Sequence, residues 1–137
     1  MIVVDTNIIG NRFVEGEWTE LAFQAQSIDG EWAVPVLCRH EFLNVLVTLG
    51  RHGMLTAREC EERWGIVEPF LLAREWPVDM AAALDLALRR SLTAYDAQYV
   101  VLAQTLGVRC LTEDRALLRT CPDVAISLEE FCSPDRA

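Results

Sequence analysis

The chain has 137 residues, a formal net charge of −9 and 52% hydrophobic residues. This length predicts a single domain, residues 1–137, that buries a sizeable core. The acidic balance argues against a module that captures nucleic acid by charge alone, and the apolar runs are too short to predict a membrane span.

Two residue types exclude further classes of protein. All 12 cationic side chains are arginines, so the chain lacks the lysine of a phosphate-binding P-loop and of Schiff-base chemistry. The 5 cysteines are odd in number and form no C-x-x-C pair, which supports neither a disulfide framework nor a zinc site. Without a signal peptide, this pattern predicts a reduced, cytoplasmic protein.

The first half of the chain predicts two strands, each followed by a helix. A buried strand over residues 2–5 precedes a helix over 18–28, and a strand over 31–36 runs into a helix over 37–53. The second of these helices carries an apolar stripe and ends at glycine.

Capping residues mark the helices of the second half. Thr56 and Glu59 form a capping box that opens one helix, and Pro69 is predicted to kink or end it. Asp79 and Thr93 cap two more helices, of which the second is apolar almost all round and therefore predicted to be buried. The remaining predicted elements are a strand over 75–78, helices over 80–90 and 94–107, a strand over 108–112, a helix over 113–120 and a strand over 124–127.

Alternating strands and helices predict an α/β fold of three layers. A central parallel sheet of four to five strands would carry helices on both faces. If the chain winds outward through strands two and three and then returns to add strands four and five, the strand order is 3-2-1-4-5. A crevice then opens at the carboxyl ends of strands one and four.

Carboxylates occupy the positions that face this crevice. Asp5 follows strand one, Asp114 follows strand four, and Asp96 lies in the first turn of a helix. Each also has an ordinary explanation, because anions stabilise helix N-termini. Glu41 lacks that explanation, since it lies inside its helix on the flank of the apolar stripe, where a solvated border residue is the alternative interpretation.

Converging carboxylates would repel one another and raise each other's pKa. A divalent cation resolves this repulsion. Mg²⁺ or Mn²⁺ takes hard oxygen ligands and binds through a few carboxylates together with waters and substrate phosphate.

Four stretches in this order resemble the motifs of PIN-domain ribonucleases, including the VapC-type toxins of toxin–antitoxin pairs: VVDTNII, EFLNVL, SLTAYDAQYVVLAQTLG and CLTEDRALL. The resemblance spans nearly the whole chain and implies a single PIN-like domain. It further implies an acidic metal-binding and catalytic quartet with supporting polar residues, namely Asp5, Glu41, Asp96 and Asp114, supported by Thr6, Asn7 and Thr112. On this interpretation Asp5 holds the metal, and Thr6 or Asn7 caps the following helix.

One position departs from the family pattern. Many relatives carry another acid two residues after the position of Asp114, where this chain has Ala116. The departure puts a second metal site in doubt and makes Glu113 a candidate substitute ligand.

The resemblance implies an Mg²⁺- or Mn²⁺-dependent endoribonuclease that hydrolyses RNA phosphodiester bonds. Its implied partners are RNA, a cognate antitoxin and a second copy of the chain in a homodimer, without a membrane. Arg89 and Arg90 are candidate RNA contacts, although a solvated helix end explains them as well.

Two other classes of function stay open. A catalytically silent PIN-fold interaction domain would keep only the fold, and the retention of all four acids counts against it. A Mg²⁺-dependent phosphatase or phosphoacceptor domain also has an acid after strand one. The phosphatase would use D-x-D there, whereas this chain has D-T-N, and both would use a lysine that this chain lacks.

Overall fold

A parallel sheet organises the structure, a computed structural model that describes residues 1–135. Its strands are β1 (Ile2–Val4), β2 (Trp32–Pro35), β3 (Glu75–Trp76), β4 (Cys110–Leu111) and β5 (Ala125–Ile126). The helices are α1 (Thr6–Phe13), α2 (Thr19–Ile28), α3 (Leu37–Arg51), α4 (Ala57–Leu72), α5 (Met80–Arg90), α6 (Ala94–Leu106), α7 (Arg115–Thr120) and α8 (Leu128–Cys132).

The strands lie in the order β3-β2-β1-β4-β5, with every neighbouring pair parallel and helices on both faces. This confirms the predicted architecture and strand order. In the centre, Val3 is in register with Ala33 of β2 and with Cys110 of β4. A strand with neighbours on both edges and helices on both faces must be apolar throughout, and the three residues of β1 are all buried.

Helix α6 lies in the core, as its sequence predicts. Its residues 97–103 are all buried, and it packs against β1, β2 and α5. Thr93 caps its N-terminus by accepting a hydrogen bond from the backbone N–H of Asp96 at 3.0 Å. Gly107 ends it in the left-handed conformation at φ 67°, where glycine carries no steric penalty. The Thr93 cap fixes the start of α6 and therefore the position of Asp96 in its first turn.

Two local features differ from the sequence-based expectations, in which Pro69 kinks or ends its helix and no helix follows β5. Helix α4 does not end at Pro69 but continues to Leu72. Pro69 lies in its last turn, where its missing N–H removes a single hydrogen bond. Helix α8 was not predicted, because its 5 residues are too few to show a period, although Ser127 caps it by accepting from Glu130 N–H at 3.2 Å.

Within residues 1–135, no helix combines the length and the apolar character that crossing a bilayer requires.

We expect Thr93→Ala to lower the free energy of unfolding by about 1 kcal/mol, because the N–H of Asp96 loses its capping oxygen. Thr93 is exposed, so no core contact is lost with the hydroxyl. Urea unfolding monitored by circular dichroism measures the change. Thr93→Ser keeps the oxygen and serves as the matched control; equal losses in both variants would contradict the capping role.

Candidate functional site

The predicted acids come together around one cavity at the carboxyl edge of the sheet. Asp5, Glu41, Asp96 and Asp114 all line this cavity, whose volume is about 560 Å³. They arrive from the end of β1, from α3, from the first turn of α6 and from the N-cap of α7. Four segments far apart in sequence therefore meet where the strand order reverses, as the topology predicts.

Asp5 is almost completely buried, with 6% of its surface exposed. Its Oδ1 accepts a hydrogen bond from Thr6 N–H at 2.7 Å, and its Oδ2 accepts one from Thr112 Oγ1 at 2.8 Å. Asp5 is thus the N-cap of α1 as well as a cavity residue, and the expectation that Thr6 or Asn7 caps this helix is wrong. A carboxylate has two oxygens, so one can serve the helix while the other faces β4.

Asn7 and Thr112 hold the segment after β4 against α1. Asn7 Oδ1 accepts from Glu113 N–H at 3.1 Å, and its Nδ2 lies 3.3 Å from Asp5 Oδ2. Thr112 Oγ1 accepts from Asp114 N–H at 3.0 Å while donating to Asp5. Asp114 in turn caps α7 by accepting from Leu117 N–H at 3.0 Å. These contacts bring the carboxylate of Asp114 to the cavity.

Glu41 is held by two hydroxyl groups. Its Oε1 accepts from Thr6 Oγ1 at 2.9 Å and from Tyr99 OH at 2.6 Å, and these two hydroxyls are 2.6 Å apart. No described residue donates to Oε2, which leaves that oxygen available in the cavity. Sequence reasoning missed Tyr99. Its signal was the spacing to Asp96, since residues i and i+3 of a helix share one face.

Burial and mutual repulsion raise the pKa of two of the acids. Burial raises the pKa of Asp5 to about 6 against the hydrogen bonds from Thr112 and Thr6, and the charges of Glu41 and Asp96 add to the increase. The pKa of Asp96 is also raised, first by burial and then by the charges of Asp114 and Glu41. No arginine of the described chain lines the cavity to offset these charges.

Apart from the imidazole of His40, the donor groups at the cavity are carboxylate, hydroxyl and amide groups, whose oxygens suit a hard cation such as Mg²⁺ or Mn²⁺. Across residues 1–135, however, no three His, Cys, Asp or Glu side chains are grouped closely enough to hold a metal ion. Hydrogen bonds from Thr112, Thr6 and Tyr99 hold the carboxylates of Asp5 and Glu41 in place. The site therefore fits a cation held through one or two carboxylates, with water and phosphate completing its shell.

Glu113 does not line the cavity. Its Oε1 accepts a hydrogen bond from Leu128 N–H at 2.7 Å, at the start of α8. This hydrogen bond engages one carboxylate oxygen, and the role of Glu113 as a substitute for the acid missing at Ala116 stays a prediction.

The two candidate RNA-contacting arginines lie at the end of α5 and do not line the cavity. Arg89 donates to Asp85 at 2.8 Å in an exposed pair. Arg90 lies 3.6 Å from Asp123 and donates to Thr120 O at 3.4 Å. A role for either arginine in RNA binding stays a prediction.

Known proteins share this sequence pattern and fold. The family described as PIN domain matches residues 2–121. The chain is 34% identical over 125 residues to Ribonuclease VapC3 from Pyrobaculum aerophilum, which covers 88% of this chain and 95% of that protein.

Three solved structures resemble it in fold. FitAcB from Neisseria gonorrhoeae has a TM-score of 0.73 at 15% identity, covering 94% of this chain and 99% of that one. PAE2754 from Pyrobaculum aerophilum has a TM-score of 0.69 at 21% identity, with coverages of 96% and 92%. A toxin–antitoxin complex from Klebsiella pneumoniae has a TM-score of 0.68 at 16% identity, with coverages of 93% and 98%.

The raised pKa of Asp5 makes stability depend on pH. Because the folded state binds this proton more tightly than the unfolded chain, the stabilising effect is complete below pH 3.8 and is lost as the pH rises through about 6. We expect Asp5→Asn to gain stability relative to the wild type over this range, by on the order of 3 kcal/mol. Urea unfolding without divalent ions at several pH values measures the difference.

Asp85→Asn is the control, because Asp85 is exposed and its removal should leave the pH profile of the wild type unchanged. A constant loss of stability in Asp5→Asn at every pH would mean that the carboxylate acts at this site only as a hydrogen-bond acceptor.

Proposed function

The chain belongs to the PIN-domain family, and on this premise we propose that it is a metal-dependent endoribonuclease that hydrolyses RNA phosphodiester bonds. The observation that carries the proposal is the meeting of four carboxylates from four segments at one cavity. The extensive similarity to Ribonuclease VapC3 supports the reaction. The same similarity supports a role as the toxin of a toxin–antitoxin pair.

Of the four acids Asp5, Glu41, Asp96 and Asp114, one or two would ligate Mg²⁺ or Mn²⁺ directly, with water and phosphate completing the shell. Such an ion, when bound, neutralises charge on phosphate oxygens and lowers the pKa of a water molecule. The protein supplies the positions of these groups. Thr112 and Thr6 N–H orient Asp5, and Thr6 with Tyr99 orients Glu41, so little reorganisation is needed when charge develops.

Hydrolysis also requires a group that accepts the proton of the attacking water. Glu41 is suited to this role, because its Oε1 is occupied by two hydroxyls while no described residue donates to its Oε2. Tyr99 is fully buried behind Glu41 and keeps the carboxylate in one orientation. Tyr99 is therefore a positioning residue in the proposed reaction.

The charge of the chain bears on which RNA is cut. A net charge of −9 provides little non-specific attraction for phosphate, so recognition must come from shape and individual contacts. We therefore expect cleavage at particular sites or structures rather than throughout an RNA. Cellular RNA as substrate is consistent with a cytoplasmic location.

Two protein partners belong to the proposal. A structural neighbour is a toxin–antitoxin complex, which supports a cognate antitoxin as partner. A homodimer is supported by the outer face of α5, where Leu84 and Leu88 are 60% and 77% exposed. Large apolar side chains placed one turn apart on a surface helix favour burial against another chain.

Two alternatives remain distinguishable. The family assignment disfavours the phosphatase or phosphoacceptor domain. A catalytically silent PIN-fold interaction domain is consistent with the absence, in the described part of the chain, of a ready-made three-residue metal group. The effect of a Glu41 substitution on RNA cleavage distinguishes the silent interaction domain from the ribonuclease.

We expect Glu41→Gln to fold normally and to lose RNA cleavage by roughly a hundredfold or more, because the proton acceptor and one charge of the site are removed. The assay incubates a defined structured RNA with wild type and variant in Mg²⁺, in Mn²⁺ and with chelator. Glu20→Gln, an exposed change on α2, is the matched control. The increase in melting temperature caused by Mn²⁺ is measured alongside and should be smaller in Glu41→Gln than in wild type.

Equal cleavage by wild type and Glu41→Gln, or cleavage that survives chelation, would contradict the mechanism. A protein that binds its antitoxin but cuts no RNA with either ion would favour the silent interaction domain.

For the homodimer, we expect Leu88→Glu to yield monomers in sedimentation velocity, because a charge would be buried at the interface between two α5 helices. Ile66→Glu, at another exposed apolar position, on α4, is the control and should leave the dimer intact. A wild-type protein that sediments as a monomer would exclude self-association through α5.

A further inference from the structure

A second cavity of about 480 Å³ adjoins the acidic cavity. Leu37 and His40, one turn apart on α3, line both cavities. The second cavity also receives Gln98 from α6 and Trp76 from the end of β3. We call it the side groove. If a phosphate of an RNA strand lies at the carboxylates, a neighbouring nucleotide of that strand lies beside the side groove.

Gln98 is the first unexplained feature of the side groove. It is nine-tenths buried, with 9% of its surface exposed, and its side-chain amide forms no hydrogen bond with any described residue. The other buried side chains of α6 include Val100, Val101 and Leu102, so packing alone would be served by an apolar residue here. Among the described residues, Trp32 Nε1 is the buried side-chain polar atom without a hydrogen-bond partner, so the amide atoms of Gln98 still reach the groove, where a ligand with donors and acceptors of its own would pair with them.

Trp76 is the second feature. Its side chain is 39% exposed at the edge of β3, although tryptophan is usually well buried. An aromatic ring at the wall of a groove offers a stacking surface for a base, whose π-face any sequence provides. Single-stranded RNA is recognised by this combination of stacking and hydrogen bonds to base edges.

The charge of the side groove differs from that of the rest of the chain. The chain carries 21 acidic residues, yet none of the residues that line this groove is acidic. His40 lines both cavities and is the polar side chain at their boundary. The groove therefore offers RNA an uncharged place next to an acidic one.

We infer that the side groove binds one unpaired nucleobase next to the phosphate that is cleaved. Trp76 stacks on the base, the Gln98 amide reads its edge, and His40 faces the connecting ribose and phosphate. The inference rests on the proposed ribonuclease function and adds the part of the site that selects sequence. It explains how so acidic a protein recognises RNA, through a base rather than through the backbone charge.

The test uses the four ribonucleosides and free ribose as probes, because they are uncharged and need neither metal nor catalysis. Each is titrated into the full chain in chelator, and binding is followed by NMR at the side-chain signals of Gln98 and Trp76. Gln98→Met keeps the length and helix propensity and removes the amide. Gln104→Met, an exposed change on the same helix, is the matched control. Trp76→Leu removes the ring.

We expect wild type to prefer one nucleoside and to bind ribose least. Gln98→Met should weaken the preferred nucleoside about tenfold and abolish the preference, because the amide reads the edge. Trp76→Leu should weaken all four nucleosides about tenfold, because stacking is tolerant of sequence. Gln104→Met should behave as wild type. In an RNA of mixed sequence, Gln98→Met should also relax the base preference beside the cut.

The inference is overturned if wild type binds ribose as well as it binds every nucleoside, or if Gln98→Met and Trp76→Leu bind nucleosides normally. Normal nucleoside binding with lost antitoxin binding in these variants would assign the groove to a protein interface instead. The ribonuclease proposal fails separately. If the chain binds a nucleoside through Gln98 but cuts no RNA, the base site is supported and the ribonuclease proposal fails. If it cuts RNA in a metal-dependent way but binds no nucleoside, the ribonuclease proposal is supported and the base site fails.

Discussion

The hydrogen bonds around Asp5 are the contacts on which the rest of the site depends. Asp5 N–H pairs with Leu111 O at 3.0 Å, and its carboxylate accepts from Thr112 at 2.8 Å and from Thr6 N–H at 2.7 Å. One residue thereby joins β1 to β4 and begins α1. Because the segment after β4 is held to Asp5 through Thr112, the position of Asp114 follows from the same contacts. The cavity exists because the two central strands end together.

These contacts place a charge where burial disfavours it. Burial raises the pKa of Asp5, and neighbouring acids raise it further. At neutral pH the ionised carboxylate of Asp5 therefore destabilises the folded state. A capping role alone would be met by serine or threonine, which carry no charge to desolvate. Sequences depart from local stability at functional sites. At Glu41, the buried hydroxyls of Tyr99 and Thr6 donate to one carboxylate oxygen and leave the other available.

The electrostatics also shape how such a protein would meet its substrate. An acidic chain gains little from long-range attraction to a phosphate backbone, so its contacts must be close and specific. The acidic cavity suits a cation and a phosphate, and the adjoining groove, free of acidic lining residues, suits an uncharged group. In the proposed function, recognition and chemistry would be divided between these two neighbouring surfaces, which share Leu37 and His40.

Much of this arrangement was determined by the sequence itself. Runs of buried residues, caps such as Thr56 and Thr93, and the alternation of elements predicted the elements that carry the four acids, because these are local patterns of burial and backbone hydrogen bonding. The strand order followed from the general winding of parallel α/β sheets and is confirmed. Tertiary structure alone decided the individual hydrogen-bond partners of these side chains. Glu41 pairs with Tyr99 across 58 positions, and Glu113 accepts from Leu128 N–H and does not line the cavity. Such choices depend on where packing places distant backbones relative to one another, and hydrogen bonds act only over about 3 Å.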